Sequence, residues 1–314
     1  MRAFVAGGAG FIGSHTVAKL LCDPAVEGVT VYDNFSSGKR EFLPFDEPRL
    51  SIVAADISDL NRLCEAIAGH DVVFHYASNP DIARAATEPD VDFWQGTFLT
   101  QNIVEAMRRT GVREIVYASG SGIYGDTGTL VLSEDHSPLL PISTYGASKL
   151  AGETLICSYC HMFGLKARVF RFANVVGARQ THGVVFDFIH RLANDPKKLS
   201  ILGDGSQSKS YIHVQDVLAG IWCARAKASE PYNYFNLSTD DHITVAEIAD
   251  VVVGIMGLTG VQRIYSGGSR GWKGDVPVVR LATEKIKQLG WRAARTTAEA
   301  IRASAHDILR ETLE

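Results

Sequence analysis

Long hydrophobic runs are missing from this sequence of 314 residues. A membrane-spanning helix needs about 18 consecutive apolar residues. The longest candidate, residues 251–261, is interrupted by Gly254, Gly257 and Gly260. The N-terminal residues also lack the charged head, long apolar stretch and cleavage site of a secretion signal. We therefore expect a cytoplasmic protein that does not enter the membrane.

An excess of charge of one sign is missing as well. Lys and Arg number 31 and Asp and Glu number 35, which gives a formal net charge of −4. A protein that attracts nucleic acid through its electrostatic field carries a large basic excess, so we expect no nucleic-acid partner. The composition, 46% hydrophobic and 21% charged, is that of an ordinary globular protein. The length leaves room for one large core and a smaller lobe.

The cysteines are too few and too scattered for a disulfide framework. There are five of them, and only Cys157 and Cys160 lie close together in the sequence, which indicates reduced thiols. A zinc site would need a second pair at similar spacing, and the sequence has none. Because Cys157 and Cys160 fall within a helical pattern with apolar neighbours, we interpret them as helix packing and predict no metal site.

What the sequence does contain is a glycine-rich loop close to its start. Residues 3–6 form a short apolar run, glycines follow at positions 7, 10 and 13, and a helical pattern extends from Ser14 to Leu21. A strand, a glycine turn and a helix N-terminus place backbone N–H groups where a pyrophosphate can bind. The glycines allow the tight turn and the close approach of the ligand.

An acidic residue follows this loop at the sequence separation expected for a ribose-binding carboxylate. The predicted strand 29–32 ends at Asp33, which comes 20 residues after Gly13. A carboxylate at this spacing suits the hydroxyl groups of an adenosine ribose. It also repels a 2′-phosphate, which favours NAD over NADP. Lys39 and Arg40 are near enough in sequence to keep NADP as an alternative.

The alternation of strands and helices continues through the first half of the chain. Strands are predicted at 50–55, 71–75, 113–118 and 165–172, and helices at 59–68, 91–109 and 143–163. This pattern predicts a Rossmann-type α/β fold, a doubly wound parallel sheet, with a smaller α/β substrate-binding lobe. Ligands of such sheets bind at the C-terminal ends of the strands, where Asp56, Ala77 and Ser119 fall.

Tyr145 and Lys149 are four residues apart within the predicted helix 143–163. At that spacing two side chains lie on the same helix face. An ammonium beside a phenol lowers the pKa of the phenol toward neutrality. Tyr145 could then take a proton from a substrate hydroxyl.

Five segments of the sequence together resemble a known family. They are Gly7-Gly8-Ala9-Gly10-Phe11-Ile12-Gly13, Asp33-Asn34-Phe35-Ser36-Ser37-Gly38, Ala55-Asp56-Ile57, Tyr117-Ala118-Ser119-Gly120-Ser121-Gly122-Ile123-Tyr124-Gly125 and Tyr145-Gly146-Ala147-Ser148-Lys149. In combination they resemble the extended short-chain dehydrogenase/reductase family. Within it, the NAD-dependent sugar-nucleotide epimerases and dehydratases are most similar, above all the shorter UDP-glucose 4-epimerases. The resemblance extends over nearly the whole chain.

The resemblance implies NAD as the cofactor and a set of residues that bind it. Tyr145 would be the catalytic base, and Lys149 would hold the nicotinamide ribose. The cofactor-binding residues implied are Gly7, Gly10, Phe11, Ile12, Gly13, Asp33, Asn34, Ser36, Ser37, Gly38, Asp56, Ile57, Ala77, Ser119, Tyr145, Lys149 and Phe172.

The resemblance also implies a UDP-sugar substrate. Arg270 would pair with the diphosphate, Asp275 would contact the nucleotide ribose, and Lys209 stands where family members often have Arg. The substrate-binding residues implied are Asn79, Ser121, Tyr145, Asn174, His182, Val184, Val185, Lys209, Tyr211, Arg270 and Asp275. A homodimer would form through the helices near 91–109 and 143–163.

Two positions depart from the pattern of the family. Gly120 stands where a Ser or Thr hydrogen-bonds the sugar, and the catalytic hydroxyl could come from its neighbours Ser119 or Ser121, or from a bound water. Gly96 stands where the long helix usually carries an Asn.

These features predict NAD-dependent epimerisation at C4 of a nucleotide-linked hexose, of the UDP-glucose/UDP-galactose type, through a transient 4-keto sugar. Dehydration is less favoured, because Ser121 and Gly122 replace the Asp-Glu pair of related dehydratases. The same motifs also suit an epimerase of a UDP-uronic acid or UDP-amino sugar, a reductase, and a non-enzymatic NAD-sensing protein. The predicted domains are 1–175 plus about 211–240 for NAD, and about 176–210 plus 241–314 for the sugar nucleotide.

Overall fold

Seven strands form the main sheet of the protein, seen in a computed structural model that describes residues 1–313. The sheet consists of β1 (Arg2–Ala6), β2 (Gly28–Asp33), β3 (Leu50–Ala54), β4 (Val72–His75), β5 (Glu114–Gly120), β7 (Lys166–Phe172) and β12 (Tyr232–Leu237). Their order across the sheet is β12-β7-β5-β4-β1-β2-β3. The pairs β1–β2, β1–β4, β2–β3 and β4–β5 are parallel. Strand order reverses beside β1, which is where open parallel sheets bind their ligands.

Helices connect these strands and complete the alternating pattern. They are α1 (Phe11–Leu21), α2 (Leu60–Ile67), α3 (Leu99–Thr110), α4 (Thr144–Phe163), α5 (Val184–Asn194), α6 (Val214–Lys227), α7 (Val245–Ile255), α8 (Glu284–Gln288) and α9 (Thr297–Leu313). Strands β1 and β4 are apolar along almost their full length and nearly all of their residues are buried. This is the sequence pattern of a parallel sheet covered on both faces.

The remaining strands are short. They are β6 (Val131–Leu132), β8 (Asn174–Val176), β9 (Lys198–Ile201), β10 (Ser208–Lys209), β11 (Tyr211–His213), β13 (Ile243–Thr244), β14 (Gln262–Tyr265) and β15 (Arg280–Leu281). They form two-stranded pairs, parallel for β8–β11, β9–β14 and β6–β15 and antiparallel for β10–β13.

The chain divides into two compact units. The first contains residues 1–120, 144–171 and 224–235, and the second contains 121–143, 172–223 and 236–313. Each unit has its own hydrophobic core. The sequence analysis assigned NAD to one domain and the sugar nucleotide to the other. Those domain boundaries and their ligands stay predictions.

A buried ion pair ties helix α4 to strand β7 inside the first unit. The Arg171 guanidinium donates to the Glu153 carboxylate at 2.8 Å, and both side chains are buried. Arg171 also lies over the Tyr234 ring, 5.0 Å from its centroid. Because a buried charge without a partner is strongly destabilising, this pair holds α4 and the residues it carries against the sheet.

The predicted secondary structure is confirmed with one difference. The helix predicted at 91–109 is a π-helical turn, Phe93–Phe98, followed by α3. Gly96 lies so close to α4 that a Cβ there would be 2.4 Å from the Ser148 Oγ. The π-helical turn thus lies where the chain packs closely against α4, and turns of this kind are frequent at functional sites.

The structure also bears on the cysteine pair and on the predicted absence of a membrane helix. Cys160 is buried in the core of the first unit, as the helix-packing interpretation predicts. Every helix within residues 1–313 is too short or too polar to cross a membrane.

Candidate active site

At two of its glycines, Gly7 and Gly13, the loop after β1 packs too tightly to admit a side chain. Gly7 has a φ of +76°, in the left-handed region that favours glycine. A Cβ at Gly7 would lie 2.6 Å from the Ala77 backbone nitrogen, and one at Gly13 would lie 2.0 Å from the Gly7 carbonyl oxygen. The predicted residues Gly7, Gly13 and Ala77 therefore form one surface made of backbone.

Helix α1 begins at this surface. Gly10 is its N-cap, and the Gly10 carbonyl accepts the Ser14 amide at 2.9 Å. The amides of Phe11, Ile12 and Gly13 belong to the first turn, whose N–H groups have no partner within a helix. Such a start favours a negatively charged group.

Asp33 connects the end of β2 to the glycine loop. Its carboxylate accepts the Ala9 amide at 2.9 Å and the Phe35 amide at 2.8 Å. Gly38 packs against it, since a Cβ at Gly38 would lie 3.0 Å from either carboxylate oxygen. Burial raises the pKa of Asp33, and the two amides oppose that rise. Each oxygen keeps a second lone pair, so the ribose-binding role stays a prediction.

The other predicted cofactor residues of this region surround Asp33. The Asn34 amide donates to the Asp56 carboxylate at 2.7 Å, which joins the ends of β2 and β3. Ser36 and Ser37 are exposed. Ile57 is buried in the hydrophobic core of the first unit, so its backbone and not its side chain is placed to meet a ligand.

Tyr145 and Lys149 lie one turn apart on α4, beside the end of β5. The Lys149 Nζ donates to the Ala118 carbonyl at 2.9 Å and lies 5.5 Å from the centroid of the Tyr145 ring. Lys149 is buried, whereas Tyr145 keeps partial exposure. The predicted pairing of a phenol with an ammonium is therefore present in the first unit.

Burial shifts the pKa values of both members of this pair. Burial raises the pKa of Tyr145 to about 12, and the Ser78 side chain opposes the rise. Burial also lowers the pKa of Lys149 to about 8. In the protein without NAD, loss of solvent around the phenol is the largest influence on the pKa of Tyr145. The expectation that Lys149 and the positive nicotinamide together lower this pKa stays a prediction for the NAD-bound enzyme.

The two candidate hydroxyls beside Gly120 lie in different surroundings. Ser119 is the second-last residue of β5 in the first unit. It is buried, and its Oγ has no hydrogen-bond partner among the described residues. Ser121 opens a short 3₁₀ turn (Ser121–Tyr124) of the second unit and is partly exposed. Gly120 itself has open space around it, with no atom within 4 Å of a Cβ added there.

The second unit holds the charged residues predicted to bind substrate. The Lys209 Nζ lies 2.6 Å from an Asp275 carboxylate oxygen, and Arg270 donates to the Asp126 carboxylate at 2.5 Å. Arg270 also donates to the Asp275 carbonyl, and the other Asp275 carboxylate oxygen accepts the Gly271 amide at 3.0 Å. Lys209, Arg270 and Asp275 are thus brought together, with Asp126 as a fourth member that sequence reasoning missed.

Other predicted substrate residues of this unit fall in two places. Asn174 and Tyr211 are register partners in the β8–β11 pair. His182 and Val184 flank the N-terminus of α5, where His182 is exposed. The Val185 side chain is fully buried in the core, so its predicted role in substrate binding falls to its backbone and stays a prediction.

Two more residues predicted to bind ligands, Asn79 and Phe172, have buried side chains. The Asn79 side chain is buried and donates to Asp92 at 2.9 Å and to the Asp81 carbonyl at 2.8 Å. Because both amide hydrogens are used, Asn79 acts as a brace of its loop. The Phe172 side chain, at the end of β7, is buried.

With this geometry in place, comparison with known proteins identifies the family. Residues 3–238 match the model of the NAD dependent epimerase/dehydratase family. The chain belongs to this family. The fold class, the family and NAD as the cofactor are therefore confirmed, as is the prediction of an enzyme.

Three members of the epimerase/dehydratase family illustrate the similarity. A putative UDP-glucose 4-epimerase of Methanocaldococcus jannaschii is 32% identical over 305 residues, which cover 95% of each chain. The structure of UDP-glucose 4-epimerase with UDP-glucose from Thermotoga maritima is 31% identical, covers 100% of both chains and has a TM-score of 0.90. The UDP-glucose 4-epimerase of Thermus thermophilus in complex with NAD is 32% identical over 98% of this chain and 99% of its own, with a TM-score of 0.86.

Sequence reasoning missed three residues around Tyr145. The Ser78 side chain opposes the rise that burial causes in the pKa of Tyr145. The Asp92 carboxylate accepts from Asn79 and, at 2.7 Å, from the Thr144 hydroxyl. No local spacing signals these contacts; only the position of Ser78 between the predicted Ala77 and Asn79 could have drawn attention to it.

The open space at Gly120 leads to a prediction. Gly120→Ser should change the free energy of unfolding by no more than about 0.5 kcal/mol, because nothing meets the added Cβ. It should keep the epimerase activity or raise it, since it restores the hydroxyl usual in the family. Thermal unfolding and a rate assay test this.

The matched control is Gly152→Ser, where the added Cβ would lie 2.3 Å from the Tyr117 hydroxyl. This variant should unfold at a lower temperature. A Gly120→Ser protein as unstable as Gly152→Ser would contradict the open space described.

Proposed function

We propose that the protein catalyses NAD-dependent epimerisation at C4 of a UDP-linked hexose, as in the interconversion of UDP-glucose and UDP-galactose. The observation that carries this proposal is the Tyr145–Lys149 pair, with Lys149 Nζ held by the Ala118 carbonyl at the C-terminal end of β5. That edge of the sheet also carries the glycine loop. The Thermotoga maritima relative, solved with UDP-glucose, supports a UDP-hexose substrate.

The residues around the glycine loop suit NAD. At Gly7 and Gly13 an added Cβ would collide with protein backbone, so glycine is needed for the tight turn that brings backbone N–H groups close to a pyrophosphate. Asp33 places a carboxylate beside the loop for ribose hydroxyls. Lys149 presents a buried ammonium, and the Ser119 hydroxyl lies buried beside it without a partner among the residues described. A ligand that offers a hydrogen bond would satisfy that hydroxyl.

Tyr145 is the proposed general base and acid. It takes the proton of the C4 hydroxyl as the sugar is oxidised and gives it back when the keto group is reduced. Bound NAD supplies the hydride acceptor and donor, and in its oxidised form a positive charge. Lys149 keeps its position through Ala118 and stabilises the phenolate. The keto sugar must turn within the site between the two steps so that its opposite face is reduced.

Binding of the diphosphate is proposed for Lys209 and Arg270. Both cations have carboxylate partners in Asp275 and Asp126. A diphosphate offers stronger acceptors for charge-assisted hydrogen bonds, so it would share or replace these partners. Holding the nucleotide end of the substrate through such contacts leaves the hexose free to turn.

The competing activities differ in their chemistry. A dehydratase needs an acid for the departing hydroxyl, and Ser121 and Gly122 supply none. A uronic-acid or amino-sugar epimerase would use the same residues, so only substrate choice separates it. A reductase would consume NADH, and a non-enzymatic sensor would bind ligand without turnover.

One incubation tests the proposed function. The holoenzyme is mixed with UDP-glucose, and in parallel with UDP-galactose, and the anomeric protons are followed by NMR. We expect each sugar to produce the other without net change in NAD or NADH. UDP-uronic acids and UDP-N-acetylhexosamines serve as competing substrates. If neither hexose is converted while one of these is, the substrate assignment is wrong.

A homodimer is proposed through the helices of the first unit. Large apolar side chains are exposed there: Phe93 by 51%, Trp94 by 52%, Met162 by 71% and Phe163 by 41%. Large exposed apolar side chains on these helices are what a contact between two copies would cover. We expect a solution mass of twice 34.1 kDa, and Trp94→Glu should reduce it toward the monomer. A monomeric native protein would refute the dimer.

A cytoplasmic location is also proposed. It rests on the scattered cysteines, which are all free thiols in the structure.

A further inference from the structure

Asp92 is a buried carboxylate that binds two segments of the first unit. It is 1% exposed and directly precedes the π-helical turn Phe93–Phe98. We propose that Asp92 is a positioning residue for Tyr145: by binding Thr144, the residue before Tyr145, it sets the place of the phenol. The inference rests on the proposed function in so far as Tyr145 is the proposed base. Asp92 acts through Thr144 and takes no part in the proton transfer itself.

Each carboxylate oxygen of Asp92 accepts a hydrogen bond from a different segment. The Thr144 hydroxyl donates to one oxygen at 2.7 Å, and the Asn79 side-chain amide donates to the other at 2.9 Å. Thr144 is 52 positions from Asp92 in the chain, and Asn79 is 13 positions away. A buried carboxylate is strongly destabilising unless its oxygens have partners of this kind. Asp92 therefore ties the start of α4 to the loop after β4.

Thr144 occupies the end of α4 where a carboxylate has the strongest effect. It is the first residue of the helix, and Tyr145 is the second. The N–H groups of a first helical turn have no partners within the helix and carry partial positive charge, so a carboxylate at that end is stabilising. Asp92 thus fixes the turn of α4 that carries Tyr145.

The loop bound by the other oxygen extends to the cofactor side of the unit. The Asn79 amide also donates to the Asp81 carbonyl at 2.8 Å, and the Asn79 side-chain oxygen accepts the Asp81 amide at 3.0 Å. The same loop contains Ala77, whose backbone nitrogen would lie 2.6 Å from a Cβ at Gly7. The loop is therefore packed against the glycine loop at one point and bound to Asp92 at another. Through it, Asp92 fixes the start of α4 relative to the backbone proposed to bind NAD.

The charge of Asp92 indicates that its contribution to Tyr145 is one of position. Burial raises the pKa of Tyr145, and the negative charge of Asp92 raises it as well. A higher pKa disfavours the phenolate that accepts the substrate proton. On Lys149 the same charge has another effect: burial lowers the pKa of the ammonium, and Asp92 opposes that fall. A variant that breaks the Thr144 contact but keeps the carboxylate therefore separates position from charge.

The test removes the Thr144 hydroxyl and leaves Asp92 unchanged. Thr144→Val has nearly the same shape but no donor, whereas Thr144→Ser keeps the donor. With UDP-glucose as the substrate, Thr144→Val should lower kcat by about 10- to 100-fold, the effect of displacing a catalytic group by up to about 1 Å. KM should change little, and Thr144→Ser should restore most of the lost kcat.

The matched control is Thr296→Val at the start of α9 in the second unit. The Thr296 hydroxyl likewise donates to a carboxylate, that of Glu299, at 3.0 Å, and it accepts the Glu299 amide at 3.3 Å. Both valine variants should unfold at a lower temperature, because each loses hydrogen bonds at a helix start. Only Thr144→Val should lose kcat. A merely structural Thr144 contact would lower the unfolding temperature and leave kcat in place.

A double-mutant cycle assigns the effect to Asp92. In a folded Asp92→Ala protein kcat should already be low, and adding Thr144→Val should lower it little further, because both changes remove the same hydrogen bond. If the charge of Asp92 acted on Tyr145 more than its position does, Asp92→Ala would raise kcat near neutral pH, and the proposal would be wrong. Should Asp92→Ala fail to fold, the Thr144 variants still decide.

A spectroscopic measurement separates the inference from the proposed function. Tyrosine labelled with ¹³C at Cζ gives an NMR signal for Tyr145 in the NAD-loaded protein, which Tyr145→Phe assigns. The signal should shift in Thr144→Val, return in Thr144→Ser and stay in place in Thr296→Val. An unchanged Tyr145 signal in a folded Thr144→Val protein would overturn the proposal. If UDP-hexoses are not converted, the proposed function fails, and this signal still shows whether the Thr144 contact places Tyr145.

Discussion

Tyr145→Phe should lower kcat for interconversion of UDP-glucose and UDP-galactose by about 10²- to 10⁴-fold, the contribution typical of a general base. Phenylalanine keeps the aromatic ring beside Lys149 but has no oxygen to accept the C4 proton. Because only that oxygen is lost, folding and NAD content should remain close to those of the native protein. NMR of the anomeric protons measures the rate, and absorbance of the purified protein measures the NAD content.

The matched control for this variant is Tyr159→Phe on the same helix. The Tyr159 hydroxyl accepts from Gln101 at 2.8 Å and donates to Glu105 at 3.2 Å. Its loss should cost about 1 kcal/mol of stability and leave kcat unchanged. A Tyr145→Phe enzyme with more than about a tenth of the native kcat would be incompatible with a contribution of this size, and the base would then have to be sought elsewhere.

Much of the cofactor side could be predicted from the sequence because its signals are local. The spacing from Gly7 to Asp33 lies within one strand–loop–helix–strand unit, so chain connectivity alone brings these residues together. The same holds for Tyr145 and Lys149, which one helical turn joins. In each case the structure places the predicted residues at the C-terminal edge of the sheet.

The electrostatic state of Tyr145 could not be predicted in this way. The i, i+4 spacing places the Lys149 ammonium near the Tyr145 phenol, but it does not show how much solvent remains around the phenol. In the folded protein burial dominates and raises the pKa of Tyr145 to about 12. The sign of the effect is decided by packing against residues that are distant in sequence.

The same reason explains which site residues were missed. Thr144 and Asp92 are separated by 52 positions, and Arg270 and Asp126 by 144. A single sequence carries no periodic signal for contacts of that range. The sequence therefore gives no reason to single out Asp92 and Asp126, although Asp92 accepts a hydrogen bond from Thr144 at the start of α4 and Asp126 pairs with Arg270, a predicted phosphate ligand.

Among alanine substitutions in the glycine loop, Gly13→Ala should lower stability and NAD affinity the most. The added Cβ would lie 2.0 Å from the Gly7 carbonyl oxygen and 2.9 Å from the Gly8 Cα, both backbone atoms. Gly7 cannot retreat, because it is itself packed against the backbone of Ala77. Relief of the clash must therefore move the loop, at the upper end of the usual cost of overpacking, about 3 kcal/mol. If that strain appears in binding, NAD affinity falls by roughly 100-fold.

Gly10→Ala provides a control within the same loop. Its Cβ would lie 3.4 Å from the Gly7 oxygen, an ordinary contact, and its φ of −78° suits any residue. Thermal unfolding without NAD should therefore be near native for Gly10→Ala and lowered for Gly13→Ala. Calorimetric titration with NAD then separates the two causes. A loss of affinity in Gly10→Ala without loss of stability would mean that the added methyl group itself obstructs the pyrophosphate, whereas in Gly13→Ala both should fall together. A Gly13→Ala protein with native stability and native NAD binding would show that the loop can open without cost, and the backbone cradle would then no longer explain why glycine is needed there.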